Sequence, residues 1–194
     1  MEPGARATTQ QPLVQAMPTQ ANSTAKRLLQ FNSAVLGQAV ALVAAHRQSD
    51  ESAYSYPIGA HLRHVIEHHE ALLLPKEPGV VDYDSRPRDR ELQRNPDVAL
   101  RRLRWLLRRL DDWTGSLDAP VQVLGRGGLA GDFGFAVISS VGRELVFVAS
   151  HAIHHYALVK PHCIQNGLSI SADFGRAPST VAYQSASLAD RLAA

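Results

Sequence analysis

The chain has 194 residues, 45% of them hydrophobic and 20% charged, enough for one domain with a sizeable core. Twenty basic against 18 acidic residues leave a formal charge of +2, too balanced to imply a nucleic-acid or anionic-membrane partner. A single cysteine, Cys163, excludes an internal disulfide, so nothing marks the chain for an oxidising compartment and a cytoplasmic location is expected.

Residues 1–20 are rich in Pro, Gln, Thr, Ala and Gly and are expected to form a flexible arm. They lack the compact apolar segment of a signal peptide, and no apolar run is read as long enough to span a membrane. Residues 21–194 are read as one domain. Asn22 or Ser23 is the expected cap of a first helix that runs from Ala25 to about His46 on the spacing of Leu28, Leu29, Val35, Leu36, Leu42 and Val43. His46 then sits among the terminal carbonyls, which favour an imidazolium. A polar connection leads to Pro57, well suited to the first turn of a second helix. Gly59 would let that turn approach another backbone closely. Pro75 and Pro78-Gly79 end this helix.

Residues 80–94 read as a polar link. Most of the basic stretch 86–109 reads as a solvated face, because acidic residues are interleaved in it. Asn95-Pro96-Asp97 combines a cap, a first-position proline and an early acid, and starts a third helix that runs to about Trp113. Its apolar stripe is Leu100, Leu103, Leu106, Leu107 and Leu110. Val121 to Leu124, the glycines at 125, 127, 128 and 131, and Phe133 to Ile138 predict a small hairpin. Those glycines lack the lysine and hydroxyl of a phosphate-binding loop. Ser139 or Ser140 can cap a fourth helix that carries Glu144 in its first turn and stops at Pro161. The tail has neither the length nor the periodicity of a fifth bundle helix. Ser179, Thr180 and Tyr183 are candidates for covering a bundle end or facing a ligand, with a packed surface tail as an equal alternative. Asp173-Phe174-Gly175 stands without the rest of a kinase signature.

The fourth helix organises the chemistry. His151 and His155 lie one turn apart on one face and can reach a single ion. Zinc or iron needs a further protein ligand, and the second helix offers His61, His64 and His68 at i, i+3 and i+7 spacing. The plainer alternative is interhelical histidines bonded to carbonyls. His61, His68 and Glu67 are candidates for proton transfer or for orienting ligands, against a plainer core or helix-surface role for each taken singly. Tyr83, Arg86 and Arg88 are candidates for meeting an anionic substrate. Cys163 is a possible nucleophile, but a small buried apolar role is preferred.

On these helices and histidines, residues 23–159 resemble the DinB-like (YfiT-like) metal-binding superfamily. The resemblance implies an all-α antiparallel four-helix bundle, here with a small extended or hairpin insert before the fourth helix. It also implies a divalent metal (zinc, nickel or iron) held by His64, His151 and His155. Several relatives act as thiol-dependent transferases. The similar sulfoxide synthases carry an acid where this chain has Ala157, which counts against their chemistry. Two functions are therefore expected. One is a metal-dependent enzyme that transfers a small thiol to an electrophilic substrate; the other is a noncatalytic metal-containing binding or stress-associated module. An exposed apolar bundle face would allow a homodimer.

Overall fold

A computed structural model describes residues 18–49 and 54–193. Residues 1–17, most of the expected arm, and part of the connection before Pro57 lie outside the described residues. Helix α1 spans Pro18–Arg47, so Asn22 and Ser23 fall inside it rather than at its start. A π-helical turn, Ser55–Gly59, leads into α2, Ala60–Leu73. Strand β1 is Val80–Asp82, and α3 is the single turn Arg90–Arg94. Helix α4, Pro96–Asp111, precedes strands β2, Pro120–Gly127, and β3, Phe133–Ser140. Helix α5, Val141–Gln165, and α6, Pro178–Ala193, complete the order.

The all-α four-helix bundle is therefore not what the chain builds. Among the described residues, six α-helices accompany a mixed three-stranded sheet of order β1-β2-β3. Strand β1 runs parallel to β2, with Val81 opposite Val123, and β2 pairs antiparallel with β3, with Val123 opposite Val137. The hairpin is the one expected, lengthened through Gly125 and Gly127. The addition comes from the stretch read as a polar link. There, three residues pair with the hairpin and bury Val81, while Asp89 starts α3 by accepting the Glu91 and Leu92 N–H groups.

Core packing positions the histidine helices. Helix α1 packs on α4 and α5, and α2 packs on the same pair. Leu36, Leu42, Ile58, Leu62, Ile66, Leu103, Leu106 and Leu145 are fully buried in one shared core. Residues Ser23–Arg47 are, by length and composition, long and apolar enough to cross a membrane, with a mean hydropathy of 1.5, contrary to the sequence reading. In this fold their apolar face meets α4 and α5.

Asn95 caps α4 by accepting the Asp97 and Val98 N–H groups, with Pro96 behind it as expected. Ser140, not Ser139, caps α5 through the Arg143 N–H. That helix continues through Pro161 to Gln165, because a proline removes one hydrogen bond and the neighbouring turns hold.

The tail also departs from expectation, since α6 is a 16-residue helix. Ser179, Thr180 and Tyr183 lie exposed on it and cover no bundle end. The segment before α6 buries Leu168 and Phe174, the latter stacked on Tyr156 at 5.1 Å. Gly175, at φ +68°, allows this approach: a Cβ there would stand 2.5 Å from the Ala157 nitrogen.

Candidate metal centre

Helices α2 and α5 pack side by side and bring the two histidine groups together. His64 Nε2 lies 2.8 Å from His151 Nε2, and His61 Nδ1 lies 2.8 Å from His155 Nδ1. The His64 ring centroid is 4.3 Å from that of His155 and 4.1 Å from that of His68. His64, His68 and His151 each offer a nitrogen within 4.8 Å of the others, a spacing at which one metal ion can be held. All five rings thus form one cluster. His154, next in sequence, is exposed, and His69 is buried with its Nδ1–H donating to the Val65 carbonyl at 2.9 Å.

Hydrogen bonds set the ring protons. A carbonyl only accepts, so the 2.7 Å contact from His68 Nδ1 to the His64 oxygen places a proton on Nδ1. The Nε2 lone pair of His68 is left for a ligand, the arrangement usual in metal-bound imidazoles. A guanidinium only donates, so the 2.9 Å contact from Arg86 Nη1 makes His64 Nδ1 an acceptor. The proton of neutral His64 then sits on Nε2, facing His151, so ligation through Nε2 requires that proton to move to Nδ1 and the Arg86 contact to be released.

Burial keeps the cluster neutral. It pushes His64 down to about 2, His68 down to about 3 and His155 down to about 4. Neighbouring imidazoles and Arg86 add to the fall in each. His61 and His151 are also lowered, first by burial and then by His154. Neutral imidazoles are the form that binds metal.

The link after β1 reaches this site, which the sequence did not reveal. Glu67, buried on α2, accepts the Asp89 N–H through Oε1 at 2.7 Å. Its Oε2 stands 3.7 Å from Arg86 Nη1. Together these contacts fold residues 83–89 back over α2. Arg86 touches the cluster, whereas Arg88 is exposed, in a left-handed conformation at φ 52°.

Tyr83 lies flat against His68 at 5.3 Å and donates its hydroxyl to Glu144 Oε2 at 2.7 Å. Glu144 is fully buried and also accepts from Ser139 Oγ at 2.6 Å and Arg143 Nη1 at 2.8 Å. Phe147 stacks on His151 at 5.5 Å. None of these supports was read as such in the sequence. The Glu144 position within α5 was the available signal, since a carboxylate on a buried face needs donors. Cys163 is buried, and burial pushes its thiol up to about 11, which removes the nucleophilic thiolate at neutral pH.

No family model matches the chain, and no solved structure matches it. A curated protein of Rhizopus delemar, FK506-binding protein 5, is 33% identical to it over 118 residues, 59% of this chain. The match covers 31% of that protein, so the chain spans about a third of the length of the curated relative it matches.

Proposed function

We propose that the cluster is a divalent-metal site and that the protein is a metal-dependent enzyme acting on a small thiol and an electrophile, a divergent relative of the DinB-like superfamily. The carrying observation is the convergence of His64, His68 and His151, with the His68 proton held away on Nδ1. These three are the ligands the geometry favours. The resemblance favours His155 in place of His68, and its ring lies 4.7 Å from that of His151. Imidazole ligands suit zinc, nickel and iron alike.

His64, His68 and His151 would hold a divalent ion, which would supply Lewis-acid activation of a thiol or a water. The chain's own groups supply the rest. His61, half-buried and against His155, is assigned as the acceptor of the thiol proton. Arg86 places a positive charge beside the site, suited to an anionic substrate. In the transfer, the sulfur forms a bond to the electrophilic carbon, and the leaving group departs with its electron pair. The name of the Rhizopus relative is not carried over, because the match covers under a third of that protein.

Metal analysis of purified single variants tests the site. His64→Ala and His151→Ala are expected to lower metal content at least tenfold, while exposed His154→Ala keeps it. Comparing His68→Ala with His155→Ala identifies the third ligand. Unchanged content in all four cluster variants would reject the site. For the reaction, glutathione with 1-chloro-2,4-dinitrobenzene gives an optical readout. Turnover lost in His151→Ala supports the enzyme, and metal-loaded protein inert to a panel of thiols and electrophiles favours a noncatalytic metal-containing module.

A further inference from the structure

Strand β3 is an edge of the sheet, and its ladder uses only half of its backbone groups. The Val141 N–H donates to the Ala119 carbonyl at 3.1 Å, and the Gln122 N–H donates away from β3, to the Gly79 carbonyl at 2.8 Å. Hydrogen-bonded pairs alternate along an antiparallel ladder, so Phe133, Phe135, Val137 and Ser139 are the residues that bond to β2. Gly134, Ala136 and Ile138 aim their N–H and C=O groups outward, and among the described residues nothing bonds to them.

The side chains along this edge are apolar and open as well. Phe133 is 55% exposed, Phe135 40%, Val137 50% and Ile138 75%. Each phenyl ring rests on a glycine of β2: a Cβ would stand 2.3 Å from Phe133 at Gly127 and 2.5 Å from Phe135 at Gly125. The rings are held in place by one side and bare on the other. Exposed edge strands ordinarily carry a charge, a proline or a bulge that stops a further strand from adding. Residues 133–140 hold no charge and no proline, and they pair with β2 one for one, without a bulge.

We infer that β3 is a dimer interface, on which β3 of a second copy pairs antiparallel about a two-fold axis, giving one continuous sheet across both copies. The strand is its own complement in the register that sets Ala136 opposite Ala136 of the second copy. The outward groups of Ile138 then bond to those of Gly134 of the second copy, and the isoleucine side chain lies over the glycine. On the face that carries the rings, Phe135 comes against Val137 and Phe133 against Ser139 of the second copy. Large side chains fall opposite smaller ones, and no charge is buried. A strand from another protein would find the same donors and acceptors, but no side chain of residues 133–140 carries a charge to select it. The inference does not depend on metal binding by the histidines.

Sedimentation equilibrium of the full chain at tens of micromolar tests it. The mass is expected at twice the 21.1 kDa of one chain. Ile138→Lys, which sets a charge on the open edge, should weaken the dimer at least tenfold. Ala136→Pro removes an outward N–H that β2 does not use, and should do the same. Because Ile138 is mostly exposed, Ile138→Lys carries the test if Ala136→Pro does not fold. Amide exchange followed by NMR separates strand pairing from contact elsewhere: the Ala136 and Ile138 N–H groups should exchange slowly in the dimer and fast in Ile138→Lys. Three results would each overturn the inference: a monomeric wild type, a dimer of full affinity in Ile138→Lys, or fast exchange of both amides in the dimer.

Discussion

Glu144 shows what a single buried residue does for this site. Three donors converge on its carboxylate, and one of them, Tyr83, forms a wall of the histidine cluster. Glu144→Ala is expected to cost about 3 kcal/mol in urea denaturation, because it leaves the Tyr83 hydroxyl buried without a partner. Tyr83→Phe should cost about 1 kcal/mol, and the double variant less than the sum of the two. Additive costs would mean that the pair does not act as a unit. The histidines themselves were legible, since i, i+3 and i+7 spacing on one helix and i, i+4 on another put rings on facing stripes. The Arg86 contact was not. It depends on Glu67 holding the Asp89 N–H across 22 positions, and no local pattern announces that bond.

At the scale of elements, two helix-associated glycines separate close packing from mere permissiveness. A Cβ on Gly59 would stand 1.9 Å from the Gln93 carbonyl oxygen, and backbone cannot rotate aside. Gly59→Ala is expected to lose about 2 kcal/mol. Gly37, inside α1, meets nothing within 4 Å, so Gly37→Ala should gain about 0.8 kcal/mol from helix propensity alone. Thermal melts of the two should move in opposite directions; a neutral Gly59→Ala would show that α2 has room to shift. The helices announced by strong local chemistry were readable: the Asn95-Pro96-Asp97 start, the Ser140 cap and the histidine stripes. Strand β1 was not, because three residues hold too little of a two-residue period to stand out from a link. Helix α6 was not either, since residues 178–187 are mostly exposed and show no buried stripe to mark it.

For the whole molecule, the shared neutrality of the histidines sets a pH dependence. Each ring in the cluster has a folded value below the ordinary 6.5, as has buried His69, which burial pushes down to about 4. Below 6.5 the unfolded chain binds protons that the fold refuses, so stability falls as pH falls. The loss begins at 6.5, eases at about 4, where His69 and His155 begin to charge in the fold as well, and continues for His68 to about 3 and for His64 to about 2. Chelator-treated protein should therefore show a Tm that drops steadily across that window and is level above it. Replacing His69 by Phe should flatten the drop. A Tm independent of pH across the window would contradict the burial described for these rings.

Arg86 and Glu67 tie residues 83–89 to the histidine cluster, and a tie between a segment and a binding site is a thermodynamic link. Whatever pulls on Glu67 from one side alters the guanidinium that His64 meets on the other. Any change in metal affinity caused by the docking of residues 83–89 must then be matched, factor for factor, by a change in that docking caused by the metal. Hydrogen exchange at the Asp89 N–H with and without zinc would read that coupling, and Arg86→Ala would bring it close to zero.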